Sequence, residues 1–237
     1  TVSQKLYYNP NPNLSVLVYG SSFFMNTYDL IQDMTFSQAR DWTAGTKVTY
    51  HVKDWFSVTG SLHADFYDRF KRHERIDKRQ KDYESSIYQP RLTVTSNYFN
   101  GHSLILGMEH TSDELTSDRF SGNANHDLKT RALKETEYFL QDEWTINPRW
   151  MISVGIRTNF SKAFGFMGMP KVAAKYSPDK HWSLRANYSM GYRSPSIKEL
   201  FFNWDHLGMF MIRGNENMRP EKNNYFSLGA EYSNDRL

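Results

Sequence analysis

Histidine is the residue type in this chain most able to bind a metal, because the sequence contains eight histidines and no cysteine. One of them, His206, lies in the segment 202–210 among the side chains of Phe202, Trp204, Met209 and Phe210. A lone histidine in an aromatic loop is more often a hydrogen-bonded surface residue than a ligand. The other histidines show no spacing typical of metal ligands: His51, His63, His73, His102, His110, His126 and His181.

Residues that could catalyse a reaction do not form a recognisable motif. The sequence contains no nucleophile elbow, phosphate loop, metal-binding motif or carboxylate pair that stands out. Its serine-rich and aspartate-rich stretches fall in predicted loops without partners. The sequence therefore predicts a protein that is not an enzyme and has no intrinsic cofactor.

Two prolines mark the ends of a long predicted loop between residues 193 and 221. Pro195 moves Ser194 away from helical geometry, and Pro220 cannot donate to a β ladder, so it belongs where a strand begins. Arg193 and Glu221 stand at the two ends of this loop, where an ion pair would join them, although two separately solvated charges fit the sequence as well. We predict a structural role for Arg193, Pro195, Pro220 and Glu221.

The elements that position these residues are predicted to be β-strands. Apolar and polar residues alternate in segments of about ten residues, for example around residues 92, 104, 152 and 182, in 42–67 and in 224–232. No apolar run approaches the roughly 18 to 20 residues that a membrane-spanning helix needs. The net charge of +3 is small, and the basic run 71–81 is interleaved with acids, which argues against nucleic-acid binding.

Connections between the predicted strands alternate between short and long. Turn-forming residues give short connections at 9–13, 53–54, 100–101, 147–148, 178–180 and 234–235, and long ones are predicted at about 27–41, 68–82, 114–134, 162–168 and 193–221. All short turns then lie at one end of the sheet. This is the pattern of an antiparallel up-and-down transmembrane β-barrel with short periplasmic turns and long extracellular loops.

Tryptophan positions agree with a membrane barrel. Trp55, Trp144, Trp150 and Trp182, four of the six tryptophans, flank short turns, where an indole would lie at the membrane interface. A soluble β-sandwich would explain any one strand equally well, but it would not explain the loop alternation or the tryptophans. The same register places Asp142 on the lipid side, where a carboxylate near the interface costs little.

Three segments between residues 138 and 232 resemble the TonB-dependent outer-membrane receptor family. LQDEW at 140–144, followed by GIR at 155–157 and PKVA at 170–173, is similar to a succession of barrel strands in that family. GYRSPSIKEL at 191–200 resembles a strand that ends in a proline-anchored extracellular loop. GNENMRPE at 214–221 resembles the box that begins the next strand, GNPNLxPE.

The resemblance implies an importer. A complete receptor of this family has a 22-stranded barrel closed by a plug domain, lies in the outer membrane of a Gram-negative bacterium, contacts outer-membrane lipid and is opened by the TonB complex. Residues 1–237 would supply about half of that barrel, without the plug and the TonB box. The transported nutrient would be haem or a ferric siderophore; cobalamin, an oligosaccharide, or a passive or adhesive barrel without energy coupling are the alternatives.

Haem receptors of this family carry an extracellular histidine between the two boxes. Carried over, His206 would be the axial ligand of haem iron, and Phe202, Trp204, Met209 and Phe210 would cover the porphyrin. The sequence departs from the haem-receptor pattern at Ser194, where that pattern has alanine, and at 216–218, where ENM replaces PNL. Polar lumen-facing positions such as Lys47, His63, Asp65, Arg157 and Arg185 would line the pathway or hold the plug.

Overall fold

The computed structural model describes residues 1–28, 35–73, 78–120, 127–206 and 209–234. Almost all of this part of the chain is β-strand. Its strands are β1 (Val2–Asn11), β2 (Leu14–Tyr28), β3 (Thr35–Lys53), β4 (Phe56–His73), β5 (Lys78–Ser96), β6 (His102–Ser117), β7 (Lys129–Asn147), β8 (Trp150–Ser161), β9 (Gly165–Tyr176), β10 (Trp182–Arg193), β11 (Asn203–His206), β12 (Phe210–Arg213) and β13 (Glu221–Tyr232). A 3-10 helix (Asp118–Phe120) and a short α-helix, α1 (Ile197–Phe201), lie in two connections.

Eleven of the strands form one sheet, in the order β1 to β10 followed by β13. Every pairing in it is antiparallel between neighbours along the chain, while β11 and β12 form a separate hairpin within the connection from β10 to β13. The predicted up-and-down antiparallel architecture is confirmed, and the eleven strands of the sheet equal half of the 22 in a complete barrel of the family that the sequence resembles. No helix of the described residues is long and apolar enough to cross a membrane.

The short connections lie at one end of the sheet, which we call the turn end. They follow β1, β3, β5, β7 and β9, close to the predicted positions, and turn-forming side chains hold several of them. Asn147 Oδ1, for instance, accepts hydrogen bonds from the backbone N–H groups of Arg149 (2.9 Å) and Trp150 (3.0 Å). The turn predicted at 234–235 lies partly outside the described residues.

The opposite end, which we call the loop end, differs from the prediction. Strands occupy both described ends of the segments 27–41, 68–82 and 114–134, and the predicted long loop at 162–168 is a three-residue connection between Ser161 and Gly165. Gly165 has φ +76°, a left-handed conformation that glycine adopts without strain. The prediction of a long loop was wrong for 162–168, and the middles of the other three segments lie outside the described residues. The described ends of those segments differ from the prediction because strands continue beyond the apolar band by pairing their backbones while polar side chains face water on both sides.

One face of the sheet is apolar and exposed, and the other is polar. Leu62, Leu92, Leu106, Leu140 and Val154 lie on the apolar face and are 44–54% exposed. Exposed apolar side chains on every central strand are what a lipid-facing barrel wall requires. The polar face is therefore the lumen side, and it carries the loop-end structure described below.

Asp142 lies on the apolar face near the turn end, as the sequence register places it. Its Oδ2 is 2.7 Å from Nδ1 of His102, and the His102 ring stacks on Trp144 with a centroid distance of 5.2 Å. The carboxylate thus has a hydrogen-bonded partner among the interfacial aromatic residues, which reduces the cost of placing it there.

Candidate functional site

The connection from β10 to β13, residues 194–220, folds inward over the lumen face of the sheet. It starts with a capping box: the Ser196 side chain accepts from the Glu199 backbone N–H (3.3 Å), and the Glu199 carboxylate accepts from the Ser196 backbone N–H (2.8 Å). Pro195 precedes this box, and Pro220 immediately precedes β13. The short helix α1 therefore begins at a complete capping box, and its Ile197 and Leu200 side chains are buried.

Ion pairs join the two ends of this connection. Arg193 Nη1 lies 3.1 Å from Glu221, and Arg193 Nη2 lies 2.6 Å from Glu199. Ser194 also hydrogen-bonds to Glu135 on β7. The backbone N–H of Ser196, followed by the Arg193 side chain, lowers the pKa of Glu199 to about 2. Arg193 thus contacts both the helix and the first residue of β13.

A hydrophobic cluster fixes the connection to the barrel wall. Ile197 and Phe202 are 2% and 7% exposed and pack with Tyr83, Leu115 and Phe120, which come from three other strands or connections. Burying each such side chain contributes roughly 1.5–3 kcal/mol. We call these five residues the loop-end core.

Arginine side chains lie directly beside the loop-end core. Arg119 Cζ is 4.1 Å from the ring centroid of Trp204 and 5.9 Å from that of Phe202. Burial, and then the neighbouring charge of Arg69, lower the pKa of the Arg119 guanidinium, which still stays protonated at neutral pH. Its Nε is buried without a hydrogen-bond partner among the described residues. Arg69 itself is paired with the buried Asp82 at 2.7 Å.

Two adjoining cavities open between these elements, and we call them together the loop-end cleft. They share Leu200, Phe201 and Glu216. The smaller cavity has a volume of about 370 Å³ and is also lined by Arg131 and Arg213. The larger cavity has a volume of about 530 Å³. The residues lining the larger cavity include Leu133, Phe164, Met167, Met218, Arg219 and Lys222. Arg131 Cζ lies 5.2 Å from the Phe201 ring centroid. The cleft therefore combines cationic side chains with aromatic and apolar walls.

Five residues were singled out from the sequence as ligand contacts, and the structure describes the side chains of four of them. Phe202 belongs to the loop-end core and Trp204 lies against Arg119, so both have packing contacts in this conformation. Phe210 is the first residue of β12 and is 55% exposed, and Met209, just before it, is 68% exposed. The backbone of His206 pairs with Phe210 in the β11–β12 hairpin, and the His206 side chain lies outside the described part.

Sequence reasoning missed the arginines of the cleft. Arg131 and Arg213, which line the cleft, and Arg119, which lies beside it, are far apart in the chain and belong to no motif, so no spacing signal could have found them. Within the described residues, no group of three or more histidine or acidic side chains is arranged to hold a metal ion. The cleft thus offers guanidinium groups beside aromatic rings, a combination that attracts anions and flat surfaces.

An open antiparallel sheet of eleven long strands, with an apolar exposed face, short turns at one end and an inward-folded loop cluster at the other, defines part of an outer-membrane β-barrel. The sequence model of the family described as TonB dependent receptor-like, beta-barrel, matches residues 2–237. The chain belongs to this family of outer-membrane receptors.

Known relatives agree with this assignment. The iron-regulated outer membrane virulence protein of Vibrio cholerae serotype O1 is 25% identical over 190 residues, which cover 77% of this chain and 27% of the relative. A ferric enterobactin receptor of Pseudomonas aeruginosa superposes with a TM-score of 0.78 at 14% identity, over 98% of this chain and 40% of the receptor. The siderophore receptor PirA of Acinetobacter baumannii gives 0.75 at 12% identity over 98% and 40% of the two chains. The chain thus spans well under half the length of these proteins.

Proposed function

We propose that the receptor containing this chain imports an anionic ferric siderophore, and that the loop-end cleft forms part of its extracellular binding site. The observation that carries the proposal is the set of arginines beside aromatic side chains in the cleft. Arg131 and Arg213 line it beside Phe201 and Phe202, and Arg119 lies against Trp204 nearby. Guanidinium groups bind anionic oxygens and also stack on flat rings. Ferric complexes of catechol siderophores present both features.

The names of the relatives support iron as the cargo. One is iron-regulated, and two solved receptors are named for a ferric siderophore or for siderophores in general. A copper transporter also superposes, with a TM-score of 0.73 at 12% identity, so the fold alone does not select the cargo. Uptake would be energised by the TonB complex through a plug domain elsewhere in the protein, as in the family.

Haem is the second candidate. It is favoured by the exposed side chains of Met209 and Phe210, whose hairpin also contains His206. In this arrangement His206 would be the axial iron ligand, and the exposed hairpin would cover the porphyrin. Cobalamin and oligosaccharide have no specific observation in their favour.

One titration series separates the candidates. Ferric enterobactin and haemin are added to the purified full-length receptor in detergent, with tryptophan fluorescence and the Soret band as the two readouts. For an anionic siderophore, the double variant Arg131→Gln with Arg213→Gln should weaken binding by about tenfold or more, because two charge-assisted contacts are lost. Arg149→Gln, at the turn end, is the matched control and should bind as the wild type does.

The two candidates fail in different ways. Absence of saturable binding of ferric enterobactin by the wild type, or binding unchanged by the double variant, contradicts the siderophore proposal for this cleft. A saturable Soret shift that is lost in His206→Ala establishes haem capture in its place. If the wild type gives no Soret shift, haem is excluded as the ligand, and the barrel assignment is unaffected.

A further inference from the structure

A second cationic site lies on the lumen wall, well below the loop-end cleft. It is built on Phe139 of β7, whose ring has the guanidinium carbons of Arg91 and Arg157 at 4.9 Å and 5.5 Å from its centroid. All three side chains occupy the polar face of the sheet, and Phe139 is paired directly with Arg157 across β7 and β8. We call this group the lumen platform.

Glycine makes room for the platform. Gly107 on β6 is paired directly with Phe139, and a Cβ added to Gly107 would overlap the Phe139 ring. The Phe139 ring therefore packs against the backbone of the neighbouring strand β6 at Gly107 and does not project straight into the lumen. A large side chain at position 107 would exclude this orientation.

Two carboxylates hold the arginines in place. Glu109 lies 3.4 Å from Arg91, and Glu137 lies 3.3 Å from Arg157. The two glutamates are directly opposite each other across β6 and β7, an arrangement of like charges that destabilises a sheet unless cations offset it. Asn159, which is 1% exposed, adds a hydrogen bond to Glu137 at 3.4 Å. The positions of both guanidinium groups are thus fixed on one side by ion pairs and on the other by the ring.

The cations project further into the lumen than the anions do. Both arginine side chains are 43% exposed, whereas both glutamate side chains are 21% exposed. A cavity of about 280 Å³ adjoins the platform and is lined on its other sides by Lys171, Ile105 and Met169, among others. The surface presented to the lumen is therefore positive and partly aromatic, as in the cleft above it.

The platform lies on the same strand and the same face as the cleft. Arg131, which lines the cleft, and Phe139 are eight residues apart on β7, a distance of about 27 Å along the strand at roughly 3.4 Å per residue. Both surfaces offer guanidinium groups held against a phenyl ring. A ligand that leaves the loop-end cleft can therefore contact the same kinds of side chain at the lumen platform.

We propose that the lumen platform of Arg91, Phe139 and Arg157 is a second binding station for the anionic chelate on its way through the barrel. The proposal rests on the proposed function, since it requires that the cargo be an anion with aromatic or apolar surface. The platform binds the chelate after it has left the loop-end cleft, and it lowers the barrier to passage along the lumen wall.

The test separates binding at the cell surface from transport. Cells carrying the full-length receptor are given a radio-iron-labelled ferric tris-catecholate, and surface binding in energy-depleted cells is measured alongside the uptake rate in energised cells. Arg91→Gln combined with Arg157→Gln should lower the uptake rate by about tenfold and leave the surface Kd within about twofold of wild type. Lys175→Gln is the control, because Lys175 on β9 lies on the same face of the sheet as Arg157, but nearer the turn end.

Each outcome decides the proposal. Uptake by the double variant at the wild-type rate, with wild-type binding, overturns the platform and leaves the proposed function standing. Absence of saturable binding by the wild type overturns both. If the double variant admits a large hydrophilic antibiotic that the wild type excludes, the platform holds the plug in place and is not a station for the chelate. A selective loss of uptake without such leakage supports the station.

Discussion

Glu199 shows how much one side chain contributes to the loop-end structure. Its carboxylate accepts from the Ser196 backbone N–H and from the Ser196 hydroxyl, both at 2.8 Å, and pairs with Arg193 at 2.6 Å. These donors stabilise the charged form, so the pKa of Glu199 falls from 4.5 to about 2. The same residue therefore caps α1 and joins that helix to the base of the connection.

The stabilisation by Glu199 depends on pH in a defined direction. Because its pKa is lower in the folded loop than in an unfolded one, the stabilisation is complete above pH 4.5 and is lost as the pH falls toward about 2. This chain has no cysteine, so a nitroxide on Asn217→Cys is a unique spin label in a full-length receptor whose cysteines elsewhere, if any, are replaced by serine. We expect its mobility to increase on acidification through this range in the wild type.

Substitution of Glu199 provides the comparison for the spin-label experiment. In Glu199→Gln the label should already be mobile at neutral pH and should respond little to acid, because the amide cannot replace the charged acceptor. Glu216→Gln, in the same connection, is the control and should titrate as the wild type does. A label whose mobility is equal in Glu199→Gln and wild type at neutral pH would show that the cap does not order this segment.

At the scale of elements, the loop-end core connects parts of the chain that are distant in sequence. Phe202 packs with Phe120 at a centroid distance of 5.4 Å, and Arg119 lies against both Phe202 and Trp204. The β6–β7 and β10–β13 connections therefore share one packed unit. Loosening either of them should loosen the other.

Phe202→Ala tests this coupling. Removing a buried phenylalanine costs about 3–5 kcal/mol, and the loss should appear in both connections because both pack on the same ring. Hydrogen exchange should become faster in α1 and also in the 3-10 helix at 118–120. Phe210→Ala, which removes an exposed ring from the same connection, is the control and should change neither. Faster exchange in α1 alone would show that the two connections are ordered independently.

The sequence predicts the strands well but not the loop end. Alternation around residues 92, 104, 152 and 182 falls within β5, β6, β8 and β10, because one face of each strand must be apolar to contact lipid. Above the lipid that requirement ends. The basic run 71–81 carries no alternation, yet its described ends continue β4 and β5, with Lys71 paired to Asp82 and Lys81 to Asp68. Backbone pairing extends those strands, and a side-chain pattern does not reveal it.

The candidate site was predictable only at its boundaries. Proline chemistry places Pro195 and Pro220 at the ends of the connection, and Arg193 and Glu221 lie within ion-pair distance there. The cleft and the lumen platform arise from strand order and register, which bring Arg91, Phe139 and Arg157 together from three different strands. Residues whose proximity depends on tertiary register leave no spacing signal in a single sequence.

At the scale of the whole molecule, the sheet must meet the membrane at a definite height. Trp144, Trp150 and Trp182 lie near the turn end with 41–43% of their surface exposed, and Trp55 lies in a turn. An indole at such a height places its ring among the lipid chains and its N–H in the interface. Trp204, in contrast, is in the loop-end structure against Arg119.

This arrangement predicts how each tryptophan responds to lipid. Full-length receptors that keep one tryptophan, the others being replaced by phenylalanine, are reconstituted in bilayers containing lipids brominated close to the glycerol backbone. The receptor that keeps Trp144 should be strongly quenched, because its ring contacts lipid. The one that keeps Trp204 should not be quenched, because that ring packs against Arg119 in the loop-end structure. Absence of quenching of Trp144 would mean that the apolar face is not the lipid face, and the lumen assignment of the cleft and of the platform would fail with it. Strong quenching of Trp144 shows that the apolar face contacts lipid, and the face turned away from lipid is then the one that a nutrient crossing the barrel contacts.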